Sequence, residues 1–155
     1  MRIIAGKFKG KTILNTSDKK TRPPKNIVRQ GIFNVLEHSK KLNFNLKDCS
    51  MLDLYSGTGS FGLESLSRGA KKVIFVEKNL NTQKILFNNI KKLNVASQIK
   101  NYDVSVEEFL KKRNINIKVD LIFCDPPFKD QNIKLILEMI RKCTFLEKNN
   151  LIILH

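Results

Sequence analysis

The chain has 155 residues, enough for one domain with a substantial core and too few for two. Its 41% hydrophobic and 28% charged residues are ordinary for a soluble globular protein, and no apolar run approaches the ~18 residues of a membrane span. Against 14 acidic residues stand 29 basic ones, and the resulting +15 favours polyanionic partners by counterion release. Of those basic residues 23 are lysine, so a low-GC genome is an alternative source of part of the excess. The opening "MRIIAGKFKGKTIL" lacks the apolar h-region of a signal peptide. Cys49, Cys124 and Cys143 are widely spaced and form no C-x-x-C pair. Both features predict a reducing, cytoplasmic setting with neither a zinc site nor a disulfide framework.

In chain order, Met1 to about Lys25 is a basic arm in which Arg2, Lys7, Lys9, Lys11, Lys19, Lys20, Arg22 and Lys25 face only Asp18. "RIIAG" and "KTIL" read as two short strands about a glycine-containing turn, followed by a polar loop ending at Pro23-Pro24. The arm is either a solvated tail or an ordered basic appendage; its apolar residues and the proline stop favour the appendage. Ile27, Val28, Ile32, Phe33, Val35 and Leu36 then recur near helical spacing up to about Ser39. We divide the chain into a basic extension over residues 1–47, expected to face nucleic acid, and a core over residues 48–155.

From Cys49 onward, strands and helices alternate. "SMLDLY" is an apolar strand entering a glycine turn, and a helix from Ser60 to Gly69 follows, with Ser60 suited to the N-cap and Gly69 to a left-handed C-cap. "KVIFVE" is a strand, Asn79 to about Leu93 a helix, "SQIKNY" a weaker strand and Val104 to Lys112 a helix. "VDLIFCD", a helix over about Asn132 to Cys143, and "NLIILH" complete the pattern. The alternation predicts an α/β fold, a Rossmann-like parallel sheet covered by helices on both faces. In such sheets ligands sit beyond the C-terminal strand ends, where Asp53, Glu77, Asp103 and Asp125 all fall.

Gly57, Gly59 and Gly62 complete a G-x-G-x-x-G turn. Alone it serves a dinucleotide or S-adenosylmethionine, or is simply a tight strand-to-helix turn. Asp53, four residues before Gly57, repels a pyrophosphate but accepts bonds from an ammonium group. Glu77 suits the ribose diol of either ligand. Asp103 is placed to accept from an adenine amino group, although an exposed loop aspartate explains it nearly as well. The set favours S-adenosylmethionine, and we group Tyr55 and Ser56 of the same turn with the cofactor-binding residues. "DPPF", Asp125 to Phe128, adds a rigid loop after its strand, since neither Pro126 nor Pro127 has a backbone N–H and both fix φ. An acid before the prolines and an aromatic after them suit methyl transfer to the exocyclic amine of a planar base. Asp125 and the Pro126 carbonyl accept the two N–H bonds, and Phe128 stacks on the base.

With these segments in view, the chain resembles the bacterial RsmD-type family, methyltransferases that modify guanine N2 in 16S ribosomal RNA. The similarity runs through "MRIIAGKFKGK", "TRPPKNIVRQGIFNVL", "LDLYSGTGSFGLESLSRGA", "DLIFCDPPF" and "LIIL". It implies S-adenosylmethionine as donor and one guanine of 16S ribosomal RNA as target, on a partly assembled small subunit; we expect the enzyme to be a monomer. It implies that Asp53, Ser56, Gly57, Gly59 and Glu77 hold the cofactor, that Asp125 to Phe128 hold the base, and that Arg22 and Arg29 sit near the active-site mouth. Arg2, Lys7 and Lys9 are the RNA contacts expected of the arm. The family has a seven-stranded sheet, so two strands beyond His155 are expected to be missing here. Pro24, Lys25 and Asn26 depart from the family pattern. The alternatives are an amino methyltransferase of another RNA or DNA base, an NAD-dependent oxidoreductase, and a non-catalytic RNA-binding module.

Overall fold

A computed structural model describes residues 1–16, 26–112, 118–127, 133–143 and 146–155. Helix α1 spans Asn26–His38, followed by β1 (Ser50–Leu54), α2 (Ser60–Ser67), β2 (Lys72–Val76) and α3 (Leu80–Leu93). Then come β3 (Ile99–Tyr102), α4 (Val106–Lys111), β4 (Val119–Cys124), α5 (Ile133–Lys142) and β5 (Leu146–Leu154). The five strands form one parallel sheet in the order β3-β2-β1-β4-β5. Chain order reverses between β1 and β4, and the crevice at that switch is where such sheets take ligands.

Alternation along each strand divides the core in two. Met51, Val73, Phe75, Leu121 and Phe123 pack beneath α1, α2 and α3, while Leu52, Leu54, Ile74, Val76, Ile122 and Cys124 pack against α4 and α5. Both faces are covered, as near-continuous apolar strands require. Strand β5 starts at Leu146, four residues before the segment whose periodicity marked it. Among the described residues no helix is long and apolar enough to cross a membrane.

The basic arm is stitched to the core. Its two extended segments pair antiparallel at Arg2 and Thr12, around a single 3-10 turn at Gly6–Phe8. Ile3 and Ile13 are buried in the same cluster as the sheet. The Glu64 carboxylate of α2, fully buried, accepts from the Ile4 amide at 2.8 Å, the Ala5 amide at 3.0 Å and Arg68 Nε at 2.8 Å. Burying a carboxylate is costly unless several donors meet it, and here three do. Arg29 of α1 stands 4.0 Å from Glu64 and donates to the Arg2 carbonyl at 2.6 Å.

Helix α2 begins differently from the expectation. Ser60 is its first helical residue, and Gly59, at φ 81°, occupies the N-cap without a capping side chain. The Gly62 amide is instead satisfied from outside the helix, by Asp53 Oδ2 at 3.0 Å. An acceptor reaching across from β1 replaces the local serine cap.

Candidate active site

Beyond the C-terminal ends of β1, β2 and β4 lies a cavity of about 500 Å³, a size suited to a small-molecule ligand. Asp53, Tyr55, Ser56 and Gly57 form one wall, Glu77 the next, and Asp125, Pro126 and Pro127 the wall across the switch point. The fold thus brings the two sequence motifs, 72 positions apart from Asp53 to Asp125, onto one cavity.

The glycine turn uses its amides internally. Gly57 donates to Glu77 Oε2 at 2.9 Å, Gly59 to the Ser56 carbonyl at 2.9 Å, and Gly62 to Asp53. Tyr55 and Gly57 both adopt left-handed backbone, at φ 57° and 56°. For tyrosine this conformation is strained by about 1–2 kcal/mol, which surrounding structure must hold in place. The turn that results encloses a protein carboxylate rather than an empty anion nest.

The three glycines divide between two duties. Gly57 has no neighbour closer than 4.0 Å to a built Cβ and opens on the cavity. A Cβ on Gly59 would stand 2.3 Å from Leu86, and one on Gly62 would stand 2.4 Å from the Phe75 ring. These two let α2 pack closely on β2 and α3. Gly59, expected to contact cofactor, is a packing glycine and is not among the lining residues.

Glu77 is fixed from both oxygens, since Oε1 accepts the Asn79 amide at 2.8 Å. A carboxylate offers about four lone-pair sites, so two remain for a ligand. Asp53 is buried, and desolvation drives its carboxyl well above the ordinary range, with Asp125 and Glu77 pushing it further and the Gly62 bond opposing. Among the described residues the cavity wall holds four carboxylates, Asp53, Glu77, Glu107 and Asp125, against one lysine, Lys78.

Other expectations fare unevenly. Asp103 is exposed and lies outside the lining; after β3 the wall is formed by Val104, Ser105, Val106 and Glu107. Arg29 is fully buried against Arg2 and Glu64, and Asn26 takes a further bond from it at 3.2 Å. Its place at the active-site mouth, implied by the family resemblance, and its role as an RNA contact are therefore corrected: it lies on the inner face of α1, where its guanidinium is taken up by Glu64, Asn26 and the Arg2 carbonyl. Arg2, Lys7 and Lys9 are exposed. The hairpin tip lies at the opposite end of the sheet from the cavity. There Lys7 donates to Gln98 at 3.2 Å, and Gln98 in turn reaches the Lys71 carbonyl at the start of β2. Arg22 and Phe128 lie outside the described residues.

Sequence reasoning missed Thr16, Glu107 and His155, all of which line the cavity. For Glu107 a signal was present. Ser105 and Glu108 form an S-x-x-E helix start, and Ser105 does accept the Glu108 amide at 3.1 Å, which sets Glu107 on the first turn of α4. Thr16 and His155 carry no local motif and are brought in only by the fold.

The family described as conserved hypothetical protein 95 matches residues 1–155. The chain belongs to this family. Among curated relatives, a protein of Buchnera aphidicola subsp. Baizongia pistaciae named ribosomal RNA small subunit methyltransferase D is 33% identical, covering 98% of this chain and 74% of its own. A protein of Haemophilus influenzae with the same name is 31% identical over 98% of this chain and 76% of its own. A Haemophilus influenzae crystal structure, titled as a candidate methylase, superposes with TM-score 0.73 and 28% identity, over 94% of this chain and 75% of that one. The Rossmann-like methyltransferase sheet is thereby shared with that structure.

Proposed function

We propose that the chain is an S-adenosylmethionine-dependent methyltransferase that acts on the exocyclic N2 amine of a guanine in 16S ribosomal RNA. The observation that carries this reading is the meeting of the glycine turn and Asp125–Pro127 on one cavity whose wall is acidic. A dinucleotide needs turn amides for its pyrophosphate. Here those of Gly57, Gly59 and Gly62 are already bonded, and four carboxylates face the space. An acidic pocket fits a ligand that carries cationic ammonium and sulfonium groups and no phosphate. Asp53 would meet the ammonium group and Glu77 the ribose diol, with Gly57 giving clearance beside them.

Bound S-adenosylmethionine supplies an electrophilic methyl group. The chain's part is to position the acceptor. The lone pair of an exocyclic amine is delocalised into its ring and is a poor nucleophile. The Asp125 carboxylate and the Pro126 carbonyl accept its two N–H bonds, draw the lone pair out of conjugation and stabilise charge developing on nitrogen. Pro126 and Pro127 hold that carbonyl in a fixed direction, because the Pro126 ring locks its φ and the proline that follows restricts its ψ. Phe128 supplies the stacking face for a base taken out of its helix. A partly assembled small subunit is the substrate form, the cytoplasm is the site of action, and the enzyme works as a monomer. The relatives' printed names support ribosomal RNA as the substrate class.

The test is nuclease digestion of 16S ribosomal RNA, carrying assembly proteins, after incubation with labelled donor. The label is expected on guanine N2. Asp125→Ala is expected to slow transfer by about 10²–10³ while donor affinity by calorimetry is retained. Label on a ring carbon, a ribose or a protein would overturn the reading, as would tighter binding of NAD than of S-adenosylmethionine.

A further inference from the structure

Strand β5 carries the chain back to the cavity. It pairs in parallel with β4 so that Leu154 stands beside Cys124, and the His155 amide continues the ladder to the Cys124 carbonyl at 3.0 Å. The residues next in line on the two strands are His155 and Asp125. Their side chains meet, with His155 Nδ1 3.0 Å from Asp125 Oδ1. The imidazole lies against Phe123, ring centroids 6.5 Å apart and 21° from parallel, and Phe123 is itself stacked on Phe61 at 3.7 Å. His155 and Asp125 side chains are 36% and 26% exposed, open enough to meet a substrate from the cavity side.

We propose that His155 is a positioning residue for the transfer step: its Nδ1–H holds one oxygen of Asp125 and leaves the other to accept the target amine. The inference rests on the methyltransferase reading above and adds a residue to it. A lone carboxylate at a cavity rim turns about its own side-chain torsions. It is also repelled by Asp53 from β1, Glu77 after β2 and Glu107 on α4, which line the same cavity. A donor bonded to Oδ1 fixes the plane of the group and offsets that repulsion. Because both residues follow paired strands, the geometry is set by the sheet rather than by a loop. The imidazole does not touch the reacting nitrogen; it acts through Asp125.

The experiment uses the full chain with labelled donor and small-subunit RNA. His155→Ala is expected to lower kcat about 10-fold to 100-fold, the scale of a misplaced catalytic contact, with the KM for S-adenosylmethionine unchanged. His155→Asn, whose amide nitrogen stands near the place of Nδ1, is expected to restore most of that loss. Wild-type kcat in His155→Ala, or His155→Asn no faster than His155→Ala, would overturn the proposal. A second measurement needs neither activity nor the alanine variant. At fixed pH the ring-nitrogen chemical shifts of His155 are expected to move on Asp125→Asn, and unchanged shifts would overturn the contact. A wild-type enzyme that puts no methyl on a base amine would defeat the functional reading instead. The shift measurement would then still decide whether the pair exists.

Discussion

Asp53 shows how one residue serves both folding and ligand. It stands on β1 beneath α2, buried, and takes the Gly62 amide that no local side chain caps. Burial raises its carboxyl well above the usual aspartate range. The folded state therefore holds the proton more tightly than the unfolded chain does, and between the two pKa values stability falls as pH rises. Above both, the full cost of an ionised buried carboxylate is present. Asp53→Asn keeps an oxygen for Gly62 and removes that charge. It is expected to raise Tm at neutral pH, by about 2–4 °C for each kcal/mol at this chain length, and the gain is expected to vanish near pH 4. Differential scanning calorimetry across pH measures both. The same variant is expected to bind S-adenosylmethionine more weakly, because a cationic ligand compensates the charge that folding leaves uncompensated. Wild-type binding is then expected to release protons and to strengthen as pH rises through the folded-state pKa. Calorimetry in buffers of different ionisation heat reads that release.

Among the elements, α2 organises the most. Its first turn faces the cavity through Ser60 and Phe61, and its middle anchors the arm through Glu64. Glu64→Ala removes the acceptor of three hydrogen bonds and leaves Arg29 buried beside no carboxylate. A loss of about 3–5 kcal/mol is expected, the scale for breaking a buried ion pair, by denaturant unfolding. Hydrogen exchange at the Ile4 and Ala5 amides is expected to accelerate first. These links were beyond the reach of sequence, since Glu64 lies 60 residues from Ile4 and reads as one more polar residue in an amphipathic helix. The sheet and its helices were legible, because period-two and period-3.6 patterns are local. Asp53, Glu77 and Asp125 were legible as well, since an acid at a strand end needs only the strand to be placed. Asp103 follows β3 as Glu77 follows β2 and Asp125 follows β4, but it is exposed and outside the cavity wall, a difference that position at a strand end does not encode. His155 stayed hidden because only the parallel pairing of β4 and β5 brings it to Asp125.

Taken whole, the molecule separates its charge. In a chain of net charge +15, the described residues around the cavity include four carboxylates and one lysine, while Lys7, Lys9 and Lys11 are exposed on the arm. The hairpin tip, with Lys7 and Lys11 over the Phe8 ring at 4.9 and 5.2 Å, sits at the far end of the strands. Crossing a five-residue strand such as β1 takes about 17 Å at ~3.3 Å per residue. An RNA that delivers a base to the cavity must run along the flank of the domain to reach that tip as well. Removing the arm cannot test this, because Ile3 and Ile13 would leave the core and Glu64 would lose the Ile4 and Ala5 amides. Substitution of Lys7, Lys9 and Lys11 by glutamine does test it, since all three are exposed and Tm is expected to hold. Each phosphate contact contributes about 0.9 to the log–log salt slope on a duplex and about 0.7 on a single strand, so the triple variant is expected to lower the slope by about 2–3. Filter binding to small-subunit RNA across salt concentrations gives that slope. An unchanged slope with an unchanged Tm would place the RNA on the cavity side alone, and would leave the basic tip to lysine-rich composition.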